Sequence, residues 1–326
     1  MKDETPSKLP RVVVTAPLPG GALALFERRA RVEVMRRRGL LGEAELAAAL
    51  RGAAGAVTLL TDPVTRAVLE ACPGLKVVSN VAVGTDNIDL EAARERGIVV
   101  THTPGVLTEA TADLAWALIL GVARRIGEGE RLVRAGGFAG WAPDLLLGVD
   151  LRGKILGVVG MGHIGRAVAR RAPAFGMRVV YSQPRRLQES VESALCARHL
   201  PLEELLAAAD VVSLHCPLTP ETRRLMDRRR LLAMKPGAIL VNTARGPVVD
   251  EEALVECLRE GRLFGAGLDV YEREPALAEG LTELPNVLLL PHLGSATEGV
   301  REAMARMAVT DCLAVLEGRR PEHGVL

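Results

Sequence analysis

Leu151-Arg-Gly-Lys-Ile155-Leu-Gly-Val-Val-Gly160-Met-Gly162-His163-Ile164-Gly165-Arg-Ala-Val-Ala169 decides how the chain is read. A short apolar run, residues 155–159, ends in glycines spaced G-x-G-x-x-G, and a helical pattern follows. Strand, tight turn and helix in that order are what a dinucleotide pyrophosphate needs. Gly160 permits the turn, Gly162 lets backbone N–H groups approach the phosphates, and Gly165 lets helix and strand pack closely. The helix N-terminus adds unpaired donors and a partial positive charge.

Strands alternate with helices on both sides of this stretch. Upstream, strands are predicted at residues 11–15, 31–35, 55–60 and 76–80, with helices near residues 21–29, 43–51 and 65–71. A single long helix is predicted over residues 108–134, opened by Thr108 as N-cap. Downstream, residues 178–181, 210–215, 238–242, 265–268 and 287–290 read as strands, and residues 298–317 as a closing helix. The pattern predicts an α/β class of parallel, helix-covered sheets. At 326 residues the chain is long enough for two domains, and only the second half carries the glycine fingerprint.

Composition narrows the function classes. Basic residues number 41 and acidic residues 40, so charge makes no case for nucleic acid or an anionic membrane. The most apolar helical stretch, residues 114–122, is too short to span a bilayer, and the polar N-terminus has no signal-peptide h-region. Five widely spaced cysteines without a C-x-x-C pair point to a reducing cytoplasm. No H-E-x-x-H, paired C-x-x-C or carboxylate cluster suggests a metal. Arginine far outnumbers lysine, which fits either a GC-rich genome or a warm habitat.

The segment after residue 181 bears on the dinucleotide. A site that prefers NAD places an acid there for the adenine ribose 2′-OH. This chain has Ser182, Arg185 and Arg186, a hydroxyl and two guanidiniums suited to a 2′-phosphate. NADP(H) is therefore the expected coenzyme, with NAD(H) possible and a solvated arginine pair the bland alternative.

Arg245, Asp269, Glu274 and His292 each follow a predicted strand on the side of the fingerprint, where strand ends converge on one crevice. Arg245 suits a substrate carboxylate and its carbonyl, His292 suits proton donation to a developing alkoxide, and Glu274 suits orienting the imidazole and raising its pKa. Each alone reads equally as a capping, solvated or packed residue; the set beside a cofactor loop carries the reading. Gly84, after the strand at residues 76–80, reads by position as an ordinary turn capped by Asp86 or Asp89.

Together with Val83-Gly84-Thr-Asp-Asn-Ile-Asp89, Thr103-Pro-Gly-Val-Leu-Thr108, His215-Cys216-Pro217-Leu-Thr-Pro220, Asn242-Thr243-Ala244-Arg245-Gly246, Gly267-Leu-Asp269-Val, Glu274-Pro275 and Pro291-His-Leu-Gly294-Ser295, these motifs resemble the D-isomer-specific 2-hydroxyacid dehydrogenases, most closely their glyoxylate/hydroxypyruvate reductase branch. The resemblance runs from about residue 12 to the C-terminus. It implies two Rossmann-like doubly wound domains, the cofactor domain (residues 103–290) inserted into a substrate domain (residues 1–102 and 291–326), with a cleft between them.

The resemblance also implies Arg245, Glu274 and His292 as catalytic residues, and Val83 and Gly84 binding the substrate carboxylate through backbone N–H, with Ser295 beside the substrate. Thr108, Cys216, Pro217, Thr243, Ala244, Asp269 and Gly294 would join the glycine loop (Gly160, Gly162, His163, Ile164, Gly165) around the cofactor. A homodimer joined through cofactor domains would bring the loop of Trp141 toward the partner's active site. The implied activity is NADPH-dependent reduction of glyoxylate to glycolate and hydroxypyruvate to D-glycerate. Its rivals are another D-2-hydroxyacid dehydrogenase, such as a phosphoglycerate dehydrogenase, or a dinucleotide-sensing interaction protein like the family's corepressors.

Overall fold

The computed structural model describes residues 9–37 and 39–325. Its contacts divide the chain into two units, Met1–Leu107 with Ala296–Leu326, and Thr108–Ser295.

In the first unit, β1 (Arg11–Val14), β2 (Arg31–Val34), β3 (Gly55–Leu59), β4 (Val77–Val81) and β5 (Val99–Thr101) form one sheet. The order is β2-β1-β3-β4-β5 and every pairing is parallel. The helices are α1 (Glu43–Leu50), α2 (Arg66–Glu70), α3 (Leu90–Glu95) and the closing helix of the chain. Side-chain caps start α2 and α3: Thr65 accepts from the Val68 N–H and Asp89 from the Ala92 N–H. Residues expected to begin a helix near position 21 instead form a 3-10 turn, Ala22–Phe26. On one face Leu46, Leu50, Val68 and Leu69 pack against Val13 and Val78; on the other lies the closing helix, against β3 and β4.

The second unit opens on α4 (Thr108–Ala123) and α5 (Ile126–Arg134). One continuous helix was expected here. It breaks at Arg125, which takes a left-handed conformation (φ 52°) while its guanidinium bonds the Glu128 carboxylate at 2.9 and 2.7 Å. Neither glycine nor proline marks this break; a side-chain ion pair offsets the left-handed backbone. Then follow β6 (Ile155–Val159), α6 (His163–Arg171), β7 (Arg178–Ser182), α7 (Glu189–Leu195), β8 (Ala197–His199), α8 (Leu202–Ala208), β9 (Val211–Leu214), α9 (Arg228–Ala233), β10 (Ile239–Asn242), α10 (Glu251–Arg259), β11 (Gly265–Leu268) and β12 (Val287–Leu289). The closing helix α11, Glu298–Leu316, returns to the first unit.

The seven-stranded order is β12-β11-β10-β9-β6-β7-β8, again all parallel. Strand alternation buries both faces: Leu156, Val158 and Val241 meet Trp116, Leu118 and Val168 of α4 and α6, while Val212, Leu214 and Leu240 meet Leu205, Leu206 and Leu254 of α8 and α10. The order reverses between β6 and β9, so the glycine loop after β6 lies at the switch point where such sheets bind ligands.

Candidate active site

Gly160 has φ 92°, a conformation that glycine alone adopts without cost, and a Cβ there would lie 2.6 Å from the Cys216 nitrogen. A Cβ on Gly165 would lie 2.1 Å from the Gly160 carbonyl oxygen. Gly162, directly before α6, is different: nothing lies within 4 Å of its Cβ position. Two glycines are thus demanded by packing, and the third borders open space in front of a helix N-terminus. That space fits a pyrophosphate. His163 and Ile164 are the first two residues of α6, and the His163 side chain is exposed.

Two unpaired polar atoms support the same fit. Thr243 Oγ1 and His215 Nδ1 are buried without hydrogen-bond partners among the described residues. They stand just past β10 and β9, on the side of the loop where the second nucleotide half of a dinucleotide lies. Burial pushes the His215 imidazole down to about 4, so it is neutral at pH 7, and its Nε2 is 2.8 Å from Ser213 Oγ. Cys216 is buried against Gly160, its thiol pushed up to about 11 by burial, and Pro217 is exposed. Thr108 is the first residue of α4 rather than its cap.

At the other nucleotide end, Ser182 closes β7 and its carbonyl accepts the Gly160 N–H at 2.9 Å. Arg185 is exposed and its guanidinium has no partner among the described residues. Arg186 is engaged: its Nε and Nη2 bond Glu192 of α7 at 3.0 and 2.7 Å. Glu192 also accepts the Tyr181 hydroxyl; hydrogen bonds from Arg186 and Tyr181 hold its carboxyl down at about 2. Sequence reading found no acid in this region. Glu192 lies ten residues beyond Ser182 and is brought back by the turn into α7.

The remaining residues gather past β10, β11 and β12. The Asn242 side chain pins the loop after β10, accepting the Ala244 N–H at 3.0 Å and donating to the Arg245 carbonyl at 2.9 Å. The next residue, Gly246, abuts Tyr271, with a Cβ position 1.8 Å from the Tyr271 carbonyl carbon. Tyr271 begins the loop that carries Glu274, and its N–H donates to Glu274 Oε1 at 3.0 Å. Glu274 Oε2 lies 3.1 Å from His292 Nδ1. Burial alone would raise the Glu274 carboxyl; the His292 hydrogen bond and charge, the Tyr271 N–H and the Arg245 charge together bring it below its ordinary value.

Asp269 lies just past β11 and anchors the loop that carries His292. Its buried carboxylate accepts the Leu293 and Gly294 N–H groups at 2.6 and 2.8 Å, and burial raises its carboxyl despite these bonds. Thr111 of α4 donates to the Gly294 carbonyl at 3.0 Å. His292 itself has φ 58°, and its N–H donates to the Asp269 carbonyl at 2.9 Å. The loop of residues 291–295, including half-buried Ser295, is thereby held to the second unit. Among the residues not singled out as site residues from sequence, Thr111, Tyr271 and Glu192 act through hydrogen bonds to partners distant in the sequence, and Asn242 through a local turn in its own loop.

Val83 and Gly84 belong to the first unit, in the loop after β4. Trp141 is 85% exposed, in a region of the second unit that also exposes Ile126, Val133, Phe138 and Leu147. Among the described residues there is no cluster of potential metal ligands, and no helix is long and apolar enough to cross a membrane.

Residues 116–294 match the model of the D-isomer specific 2-hydroxyacid dehydrogenase, NAD binding domain. The glyoxylate reductase of Thermococcus litoralis is 45% identical over 318 residues, 96% of either chain. A crystal structure of a Thermus thermophilus protein is 56% identical with TM-score 0.89, covering 97% of this chain and 100% of that one. The NADPH-dependent glyoxylate/hydroxypyruvate reductase of Sinorhizobium meliloti, solved with NADP and malonate, is 34% identical with TM-score 0.87, covering 98% and 97%. A glycine loop at the switch point and an imidazole–carboxylate pair at neighbouring strand ends are the parts of an NAD(P)-dependent oxidoreductase. The chain belongs to the D-isomer-specific 2-hydroxyacid dehydrogenase family.

Proposed function

We propose that the chain reduces glyoxylate to glycolate and hydroxypyruvate to D-glycerate with NADPH. The observation that carries the reading is the Glu274–His292 pair, on whose carboxylate the Arg245 charge also acts. With Nδ1 committed to Glu274, Nε2 is the ring nitrogen left to give a proton. Arg245 pairs with the substrate carboxylate and draws electron density toward the carbonyl oxygen. A bound reduced nicotinamide supplies the hydride to the carbonyl carbon. His292 protonates that oxygen, and a 2-hydroxy acid leaves. Val83 and Gly84 give backbone N–H donors to the carboxylate, and Ser295 lies beside the substrate.

Ser182 and Arg185 support NADPH as the coenzyme. The engagement of Arg186 by Glu192 favours a second reading in which NADH also serves. Similarity to glyoxylate and glyoxylate/hydroxypyruvate reductases supports the substrates. Exposed apolar side chains on α5 and the loop of Trp141 support a homodimer with this face covered by a second copy. Five free cysteines suit a cytoplasmic location. Steady-state kinetics over a panel of 2-keto acids with both coenzymes tests the activity; no oxidation of either coenzyme across the panel would refute it. Light scattering tests the dimer: Val133→Asp should leave a monomer, and a monomeric wild type would end the proposal.

A further inference from the structure

The segment that carries Glu274 is held at both ends by one buried carboxylate. Glu251, the first residue of α10, is buried. Its Oε1 accepts the Glu272 N–H at 2.5 Å, and its Oε2 accepts the Ala278 N–H at 3.2 Å. Glu274 lies between these two anchors. The N-cap of α10 is a different residue, Asp250, which accepts the Ala253 N–H at 3.1 Å. A carboxylate in the first turn of a helix is favoured by the unpaired N–H groups there. Burial still raises the Glu251 carboxyl, and its two backbone hydrogen bonds act against that rise.

Other fastenings act on single points of the segment. The Glu272 side chain accepts from Arg224 Nε and Nη2 at 3.1 and 3.0 Å. The Tyr271 hydroxyl donates to the Leu290 carbonyl at 2.7 Å, two residues before His292. Within the segment, the Ala276 N–H donates to the Arg273 carbonyl at 2.8 Å. At the surface, Arg273 pairs with Glu252 at 3.0 Å. Glu251 closes these pieces into a ring by joining residue 272 to residue 278 through one side chain.

We infer that Glu251 is a positioning residue for the reaction, holding Glu274 at its distance from His292 by bridging the two ends of the segment. Its bonds go to backbone N–H groups, so it acts through Glu274 and on the proton step. The inference deepens the 2-keto-acid reading proposed above and rests on it.

Glu251→Gln keeps the size of the side chain but offers one acceptor oxygen to two N–H donors, so one end of the segment comes loose. Its kcat with glyoxylate should fall about tenfold, within the roughly 100-fold that a displacement of about 1 Å can cost. The glyoxylate KM and the NADPH Kd, read by coenzyme fluorescence, should stay near wild type. A residue that acts through Glu274 has nothing left to position once Glu274 is replaced. In a Glu274→Gln background, Glu251→Gln should therefore lower kcat by less than about twofold further. Glu252→Gln, which removes only the exposed pair with Arg273, should leave kcat unchanged. Where Glu251→Gln fails to fold, Glu251→Asp takes its place: it keeps the charge, is one methylene too short to reach both donors, and should lose kcat in the same way. If wild type reduces no 2-keto acid, both readings fall. Only the Glu251 assignment falls if wild type is active and the variant keeps its kcat, loses substrate and coenzyme affinity in step with kcat, or compounds the loss from Glu274→Gln. Failure of both Glu251 variants to fold would make it a residue of the fold and end the assignment too.

Discussion

Glu274 Oε2 lies 3.1 Å from Nδ1 of His292, and the other oxygen of that carboxylate accepts the Tyr271 N–H. Both oxygens are occupied, so the carboxylate fixes the ring from a backbone-anchored position. Glutamine at 274 has one acceptor oxygen for two donors, so it must surrender either the ring or the loop. Glu274→Gln should lower kcat by about 100-fold with coenzyme Kd unchanged, in the range of general acid–base contributions. His292→Ala should abolish reduction while leaving coenzyme binding. Near-normal turnover in either variant removes that residue from the proton step.

The same pair sets an acid limit on stability. The Glu274 carboxyl is depressed below its ordinary value of 4.5, so the ionised form is favoured in the folded state. Its contribution is present above that value and is lost as pH falls through the depressed one. Melting curves taken below pH 4.5 should therefore show a shallower loss of Tm in Glu274→Gln than in wild type. Parallel curves would mean that the pair adds nothing to folding.

The three loop glycines should respond differently to the same methyl group. Gly165→Ala meets a carbonyl oxygen at 2.1 Å, and Gly160→Ala adds a left-handed φ to a 2.6 Å backbone contact. Both should lower stability by about 1–3 kcal/mol or more, as overpacking does. Gly162→Ala meets nothing within 4 Å and should fold normally. Its Cβ enters the space assigned to the pyrophosphate, so its NADPH Kd should rise at least about tenfold, roughly 1.4 kcal/mol. Unchanged coenzyme affinity in Gly162→Ala would move the phosphates elsewhere.

Much of the fold was legible because strand–helix alternation and glycine spacing are local. The parallel α/β class follows from them, and so does the placing of Arg245, Asp269, Glu274 and His292 at strand ends. What escaped depends on distant partners. The short edge strand β8 and the helix α7 before it carry little apolar signal. The break at Arg125 rests on an ion pair with Glu128, in a stretch whose apolar pattern reads as continuous helix. The carbonyls of residues 82–84 are held by Thr103, His102 and Asn80, and pattern alone does not show which way a peptide plane turns.

Gly246→Ala tests how Arg245 and Glu274 are kept in register. The Cβ would fall 1.8 Å from both the carbonyl carbon and oxygen of Tyr271, the residue whose N–H holds Glu274. Backbone cannot yield there as a flexible side chain would. The variant should lose about 3 kcal/mol or more by denaturant melt, and surviving protein should be poorly active. A stable, fully active Gly246→Ala would show that the two loops move independently.

Arg185 and Arg186 are adjacent, yet they should not contribute equally to coenzyme choice. Arg186 already spends Nε and Nη2 on Glu192, whose carboxyl stays ionised at neutral pH, held at about 2 by Arg186 and Tyr181. A 2′-phosphate approaching Arg186 also meets the negative charge of its partner. The Arg185 guanidinium is exposed with no partner among the described residues, so its full charge is available to an incoming anion. A hydrogen bond to a charged group is worth about 1.5–3 kcal/mol, or roughly 10- to 150-fold in affinity. Arg185→Ala should therefore raise the NADPH KM at least about tenfold and leave the NADH KM unchanged. Arg186→Ala should change the NADPH KM less, and Glu192→Gln should lower it by releasing the Arg186 fork. Equal losses from the two arginine variants, or a Glu192→Gln variant with weaker NADPH binding, would show that Glu192 presents Arg186 to the phosphate instead of withholding it.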